Sequence, residues 1–128
     1  MRLLLDTHLL IWASGASQKL PPTAADLLSD VQSQLFFSAA SLWEITIKFA
    51  LGKPDFNMNP VDLRAVLRTG GLRELPVTSD HVLAVSDLPP IHKDPFDRLI
   101  VAQAIVEHLT LLTADKVLAS YPGSIQKV

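Results

Sequence analysis

The sequence predicts an α/β domain built on a mostly parallel sheet. Three observations carry that expectation. Short apolar runs of strand length, RLLLD (2–6), QLFFS (34–38), LRELPV (72–77) and LTLLTAD (109–115), alternate with longer segments of helical character. Proline, glycine and short polar residues punctuate the boundaries. No repeat, low-complexity tract or linker interrupts the chain, so a single domain spans 1–128 and is long enough to bury a core.

RLLLD is a buried strand that ends in an acid, and the residues after Asp6 turn back into a helix. PPTAADLLSDVQS (21–33) begins with prolines and Thr23, good helix-start signals, and continues as a helix. QLFFS follows as the second strand. AASLWEITIKFALGK (39–53) sets Leu42, Ile45 and Phe49 near helical spacing and stops at Gly52 and Pro54. PVDLRAVLRTGG (60–71) is a helix with Pro60 in its first turn and a glycine pair at its end. LRELPV is the third strand, and TSDHVLAVSDLPP (78–90) a helix closed by two prolines. DPFDRLIVAQAIVEH (94–108) is a helix with Pro95 in its first turn. LTLLTAD is a fourth strand ending in an acid, ADKVLASY (114–121) a short helix, and SIQKV (124–128) the last strand.

Composition narrows the function. Apolar residues make up 48% of the chain and the mean hydropathy is +0.29, which places some apolar surface on the outside, for a partner or a second copy. The net charge of −2 provides no global basic field for nucleic acid, so contact with an anionic substrate must come from a local feature. The absence of cysteine excludes a disulfide framework and cysteine-ligated zinc, and suits the cytoplasm. The apolar N-terminus superficially copies a leader peptide, but Asp6 and His8 would put polar groups in its core. No uninterrupted apolar stretch is long enough for a membrane span.

The acids fall in a pattern. Asp6 ends the first strand, Asp115 ends the fourth, and Asp94 and Asp97 open the long helix before it. Glu44 lies in the helix after the second strand. In parallel α/β sheets ligands gather at the carboxyl ends of the strands, so five acids from four segments can converge there. Taken singly, each has a plain structural role. Asp6, Asp94 and Asp115 fit helix N-caps, Asp97 a first turn favoured by the helix dipole, and Glu44 an ion pair with Lys48. Glu44 departs from this, because Trp43 and Ile45 flank it and a half-buried acid needs a cation. Taken together, clustered carboxylates raise one another's pKa unless a cation neutralises them. Oxygen donors of this kind suit Mg²⁺ or Mn²⁺, which also bind phosphate oxygens and promote in-line attack on a phosphodiester.

LLLDTHLLIW, SAASLWEITIK, HKDPFDRLIVAQA and LLTADK, in this order and spacing, closely resemble a PIN domain, and more narrowly the VapC-type toxin ribonucleases of bacterial toxin–antitoxin pairs. The likeness covers essentially the whole chain. It implies a three-layer α/β/α fold and metal-dependent endonucleolytic cleavage of RNA by a metal-activated water. The family's acidic constellation falls on Asp6, Glu44, Asp97 and Asp115, as metal-ligating and catalytic residues. Thr113 matches a supporting hydroxyl position, Asp94 belongs to the DPFD form of the motif as an auxiliary group, and His8 is a structural neighbour of the site. Arg98 and Lys116, each directly following a proposed ligand, are the first candidates for RNA-phosphate contacts, with Lys93 and Lys48 beside them and His92 adjacent. The resemblance further implies a homodimer and a small antitoxin that covers the groove. Tyr121, Trp12 and Trp43 read as core residues. Two other readings compete: a catalytically silent module of the same fold, and a phosphorylation-receiver-like domain, although Asp6 is followed by Thr7 and His8 rather than by a second acid.

Overall fold

Five parallel strands form the centre of the molecule in the computed structural model, which describes residues 1–128. In chain order the elements are β1 (Arg2–Leu5), α1 (Thr7–Gly15), α2 (Pro22–Ser29), β2 (Gln34–Ser38), α3 (Ala39–Ala50), α4 (Pro60–Thr69), β3 (Arg73–Leu75), α5 (Ser79–Ala84), α6 (Pro95–Glu107), β4 (Thr110–Thr113) and β5 (Ile125–Lys127). The sheet order is β3-β2-β1-β4-β5, and each neighbouring pair is parallel. A phosphorylation-receiver sheet runs β2-β1-β3-β4-β5 instead, so that alternative is set aside on topology.

Side-chain alternation along β1 explains the layers. Leu3 and Leu5 face one side with Leu9, Leu10, Phe37, Ile45, Leu63 and Leu112; Leu4 faces the other with Ile100, Val101, Leu111 and Tyr121. Helices α1 to α4 cover the first face and α5 and α6 the second, which is the three-layer α/β/α arrangement. A strand buried on both faces must be apolar throughout, hence LLL without alternation. No helix is long and apolar enough to cross a membrane.

The strand expectations hold, with trimmed ends. The helix expected over 21–33 stops at Ser29, and Asp30 folds 30–33 into a turn by accepting from the Gln32 N–H at 2.9 Å. The helix expected over 78–90 is α5 followed by a separate 3₁₀ turn, Val85–Asp87. The helix expected over 114–121 is absent. Only a 3₁₀ turn, Leu118–Ser120, forms there, because Pro122 ends the segment before a helix can repay its nucleation. Trp43 is also not a core residue: it is 61% exposed, with its ring edge-on to Phe96 at 5.1 Å. It sits beside the inward Glu44 and Ile45 on α3 but is turned out of the sheet-facing side. Trp12 is half-buried, and Tyr121 is buried as expected.

A buried polar chain ties the two layers. Ser38 Oγ donates to Gln103 Oε1 and accepts from the Ala40 N–H, so it caps α3 while reaching α6. Gln103 Nε2 donates to the Pro76 carbonyl at 3.3 Å, and His81, held by the Thr78 N–H, ends the chain at Glu107. Gln103→Leu strands the Ser38 hydroxyl in the interior and removes the donor to the Pro76 carbonyl. It should lower unfolding free energy by about 2–4 kcal/mol in urea titration, against less than about 1 kcal/mol were the network ornamental.

Candidate metal centre

The chain climbs β1, β2 and β3 to one side and then returns to place β4 on the other side of β1. The carboxyl ends of β1 and β4 therefore meet at the topological switch of the sheet, where a crevice opens. The Asp6 N–H bonds to the Leu112 carbonyl at 3.1 Å and carries the β1–β4 ladder one step past the strand. Asp6 is thus delivered to the crevice by backbone geometry, with Leu3, Leu4 and Leu5 fully buried behind it.

Asp6 is both cap and site residue. Its Oδ1 accepts from the Leu9 N–H at 2.9 Å at the start of α1, and its Oδ2 accepts from Thr113 Oγ1. Burial pushes its carboxyl up from the usual 3.8; the Thr113 and Leu9 hydrogen bonds oppose that without cancelling it. Thr113 in turn accepts from the Asp115 N–H at 3.0 Å, so one hydroxyl sets both acids of the β1–β4 edge.

Glu44 is buried on α3 and held at both oxygens. Thr7 Oγ1 donates to Oε1 at 2.8 Å, and Lys48 Nζ meets Oε2 at 2.5 Å. Thr7 also reaches Ser41 at 3.1 Å. Thr7 is a site residue that the sequence reading passed over as a mere helix start. Its signal was a hydroxyl next to Asp6 in an otherwise apolar run.

Asp94 caps α6 by accepting from the Phe96 and Asp97 N–H groups at 2.8 and 3.2 Å, with Pro95 at the position where the missing N–H costs nothing. Capping rather than direct contact fits its auxiliary assignment. Asp97, one turn in, faces the other acids. Burial is the largest influence on it, and Asp94, Glu44, Asp6 and Asp115 all add repulsion, so its carboxyl is pushed up to about 7. Asp115 is the most open of the set, and its Oδ1 accepts from the Val117 N–H at 2.8 Å. All five acids line one cleft of about 260 Å³, together with Thr7, His8, Trp12, Lys48, Ala114 and Leu118. His8 is exposed at its rim, its ring about 6 Å from those of Trp12 and Phe56.

The donor set fits a hard divalent cation. Five carboxylates share this cleft with one ammonium, Lys48, which is already committed to Glu44. An isolated pocket so composed must either bind protons, as Asp97 does, or a cation of higher charge.

The basic candidates separate. Lys93 and Lys116 are exposed, and Lys48 lies in the cleft wall over the Phe56 ring. Arg98 does not line the cleft. Its Nη1 donates to the Pro89 carbonyl at 3.0 Å and to Tyr121 Oη at 3.2 Å, and its Nη2 to the Val85 carbonyl at 3.3 Å. It follows Asp97 on a helix, and one residue along a helix turns a side chain about 100° away. His92, noted only as adjacent, comes within 3.4 Å of Asp97 and 3.9 Å of Asp115.

Comparison with known proteins bears on the family and the fold. The family model described as PIN domain matches residues 3–123. No curated protein matches the sequence. Among solved structures, VapBC2 from Rickettsia felis, bound to a DNA fragment from its promoter, superposes with a TM-score of 0.71 at 16% identity, covering 99% of this chain and 98% of that one. DNA-bound VapBC from Salmonella typhimurium gives 0.67 at 17% identity, again over 99% and 98%. VapBC-1 from nontypeable Haemophilus influenzae gives 0.65 at 20% identity over the same shares. At such identities the likeness is one of fold.

Proposed function

The chain belongs to the PIN-domain family, and on that premise we propose that it is a divalent-metal-dependent endoribonuclease, the toxin of a VapC-type toxin–antitoxin pair acting in the cytoplasm. The observation that carries the reading is the convergence of Asp6, Glu44, Asp97 and Asp115 on one cleft with a single committed cation among them. Those four residues would hold Mg²⁺ or Mn²⁺, with Asp94 fixing the backbone that carries Asp97. A bound ion of this kind supplies Lewis acidity, lowering the pKa of water and offsetting charge that builds on phosphate and leaving oxygen.

The chain's own groups do the rest. Thr113 orients Asp6 and the Asp115 backbone, and Thr7 orients Glu44, so the carboxylates are set before any ligand arrives. Lys48 stays paired with Glu44, while the exposed Lys93 and Lys116 offer ammonium groups to the RNA backbone. Such contacts carry no base information, so they position the strand without selecting its sequence.

The exposed apolar groups Trp43, Ile47 and Leu51, spaced four residues apart from α3 into its C-terminal cap, support a protein partner on that side. A small antitoxin and a second copy of this chain are the partners in this reading. A solved structure of similar fold, from Klebsiella pneumoniae, is a toxin–antitoxin complex.

The test is cleavage of a defined RNA by the purified protein. Activity should vanish with EDTA, return with Mg²⁺ or Mn²⁺, and fall on adding a co-purified antitoxin. A protein that binds neither ion and leaves RNA intact would instead be a silent module of the same fold.

A further inference from the structure

His92 stands beside the carboxylate set, its Nε2 3.4 Å from Asp97 and 3.9 Å from Asp115, and has no role in that set. We propose that His92 donates a hydrogen bond from Nε2 to a phosphate oxygen of the bound RNA backbone, held in place by Arg98 and Tyr121. The assignment rests on the nucleic-acid reading of the cleft, and deepens it by naming a substrate contact.

The loop that carries His92 is built to hold it still. Tyr121 Oη accepts from the His92 N–H at 2.7 Å and donates to the His92 carbonyl at 3.3 Å. Arg98 ties the same Tyr121 hydroxyl to the Pro89 and Val85 carbonyls. Tyr121 is buried, so the clamp has little freedom. The ring is fixed separately, because Nδ1 accepts from the Asp94 N–H at 3.0 Å.

That last bond decides the chemistry. A ring nitrogen that accepts from a backbone N–H carries no proton, so the proton of the neutral ring is on Nε2. Nε2 is the atom that faces Asp97 and Asp115, and those three groups are close enough together to hold a metal. Histidines that bind metals use a bare nitrogen and donate from the other one. Here the arrangement is reversed, and Nε2–H is a donor rather than a ligand. Its contacts at 3.4 and 3.9 Å are longer than a good N–H···O bond. Asp97 and Asp115 would hold a divalent ion, and with their oxygens so engaged the Nε2–H beside them would keep no acceptor of its own. A phosphate oxygen would supply that acceptor.

The probe is a short 2′-O-methyl RNA, which resists cleavage, with binding followed by fluorescence anisotropy in Mg²⁺. His92→Ala should weaken binding about tenfold and His92→Gln, which keeps an amide donor, about twofold or less. Tyr121→Phe, which releases the loop, should behave like His92→Ala. Mn²⁺ affinity by electron paramagnetic resonance should stay at the wild-type value in all three. Long-range ¹H–¹⁵N spectra should show the Nε2–H tautomer with and without Mg²⁺. Binding by His92→Ala equal to wild type, Mn²⁺ affinity falling with RNA affinity, or a wild-type protein that does not bind the probe would each overturn the assignment. A protein that binds the probe through His92 but leaves unmodified RNA uncut defeats the ribonuclease reading alone, and the donor assignment stands.

Discussion

Asp6→Asn is expected to reduce RNA cleavage by on the order of a thousandfold or more while leaving the fold intact. The two halves of that expectation have separate physical causes. Asparagine is as good an N-cap as aspartate, so its Oδ1 still accepts from the Leu9 N–H and α1 keeps its start. The substitution also removes a charge from a site where burial disfavours it, so the melting temperature without metal should equal or exceed that of wild type. What is lost is the charged oxygen that Thr113 orients into the cleft. Asp6→Ala is the informative contrast. It deletes the cap and orphans the Leu9 N–H, costing about 1 kcal/mol or more, and so confounds stability with function. Calorimetry, Mn²⁺ titration and cleavage measured on both variants separate these effects. Full cleavage by a folded Asp6→Asn protein would remove Asp6 from the catalytic set.

The sequence displayed these strands because each apolar run stops at a polar residue or a proline. LLL runs into Asp6, LL into Thr113 and Asp115, and Pro76 withholds the donor that would extend β3. The long helix was equally visible, since Asp94-Pro95 is a cap followed by the residue best suited to a first turn. Where local pattern failed, a tertiary or terminating influence was the reason. ADKVLASY has helix formers, yet Pro122 arrives before a helix can stabilise itself. Trp43 is apolar but lies on the outer side of α3, and hydrophobicity alone does not reveal which side faces the sheet.

The site divides in the same way. The four segments that carry its acids could be named from their positions at strand and helix ends. Their second partners could not, because these are set by contacts between residues far apart in sequence. Thr7 meets Glu44 across 37 positions, and Arg98 meets Tyr121 across 23. Arg98 was the most misleading, since adjacency to Asp97 in sequence is separation on a helix.

The second large effect is in the pH dependence of the metal-free protein. Asp97 has its carboxyl raised to about 7 in the folded state, against 3.8 when unfolded, so the folded protein holds that proton more tightly. The stability it contributes is fully present below pH 3.8 and is lost as pH rises through about 7, after which the penalty is constant. The span corresponds to about 4 kcal/mol. A substitution that removes this one titration leaves the rest of the protein as its own reference. The clean measurement is therefore the difference between wild type and Asp97→Asn, each unfolded in urea with EDTA across pH 4 to 8. Asp97→Asn should gain on wild type steadily over that range, reaching a few kcal/mol by pH 8, on the order of 2–4. Adding Mg²⁺ should restore wild type at pH 8 and do little for the variant, since binding to the folded state alone stabilises by mass action. A difference that stays flat with pH would mean that the acids of the cleft do not load Asp97 with a proton, and that the cluster is open enough to hold its charges in water.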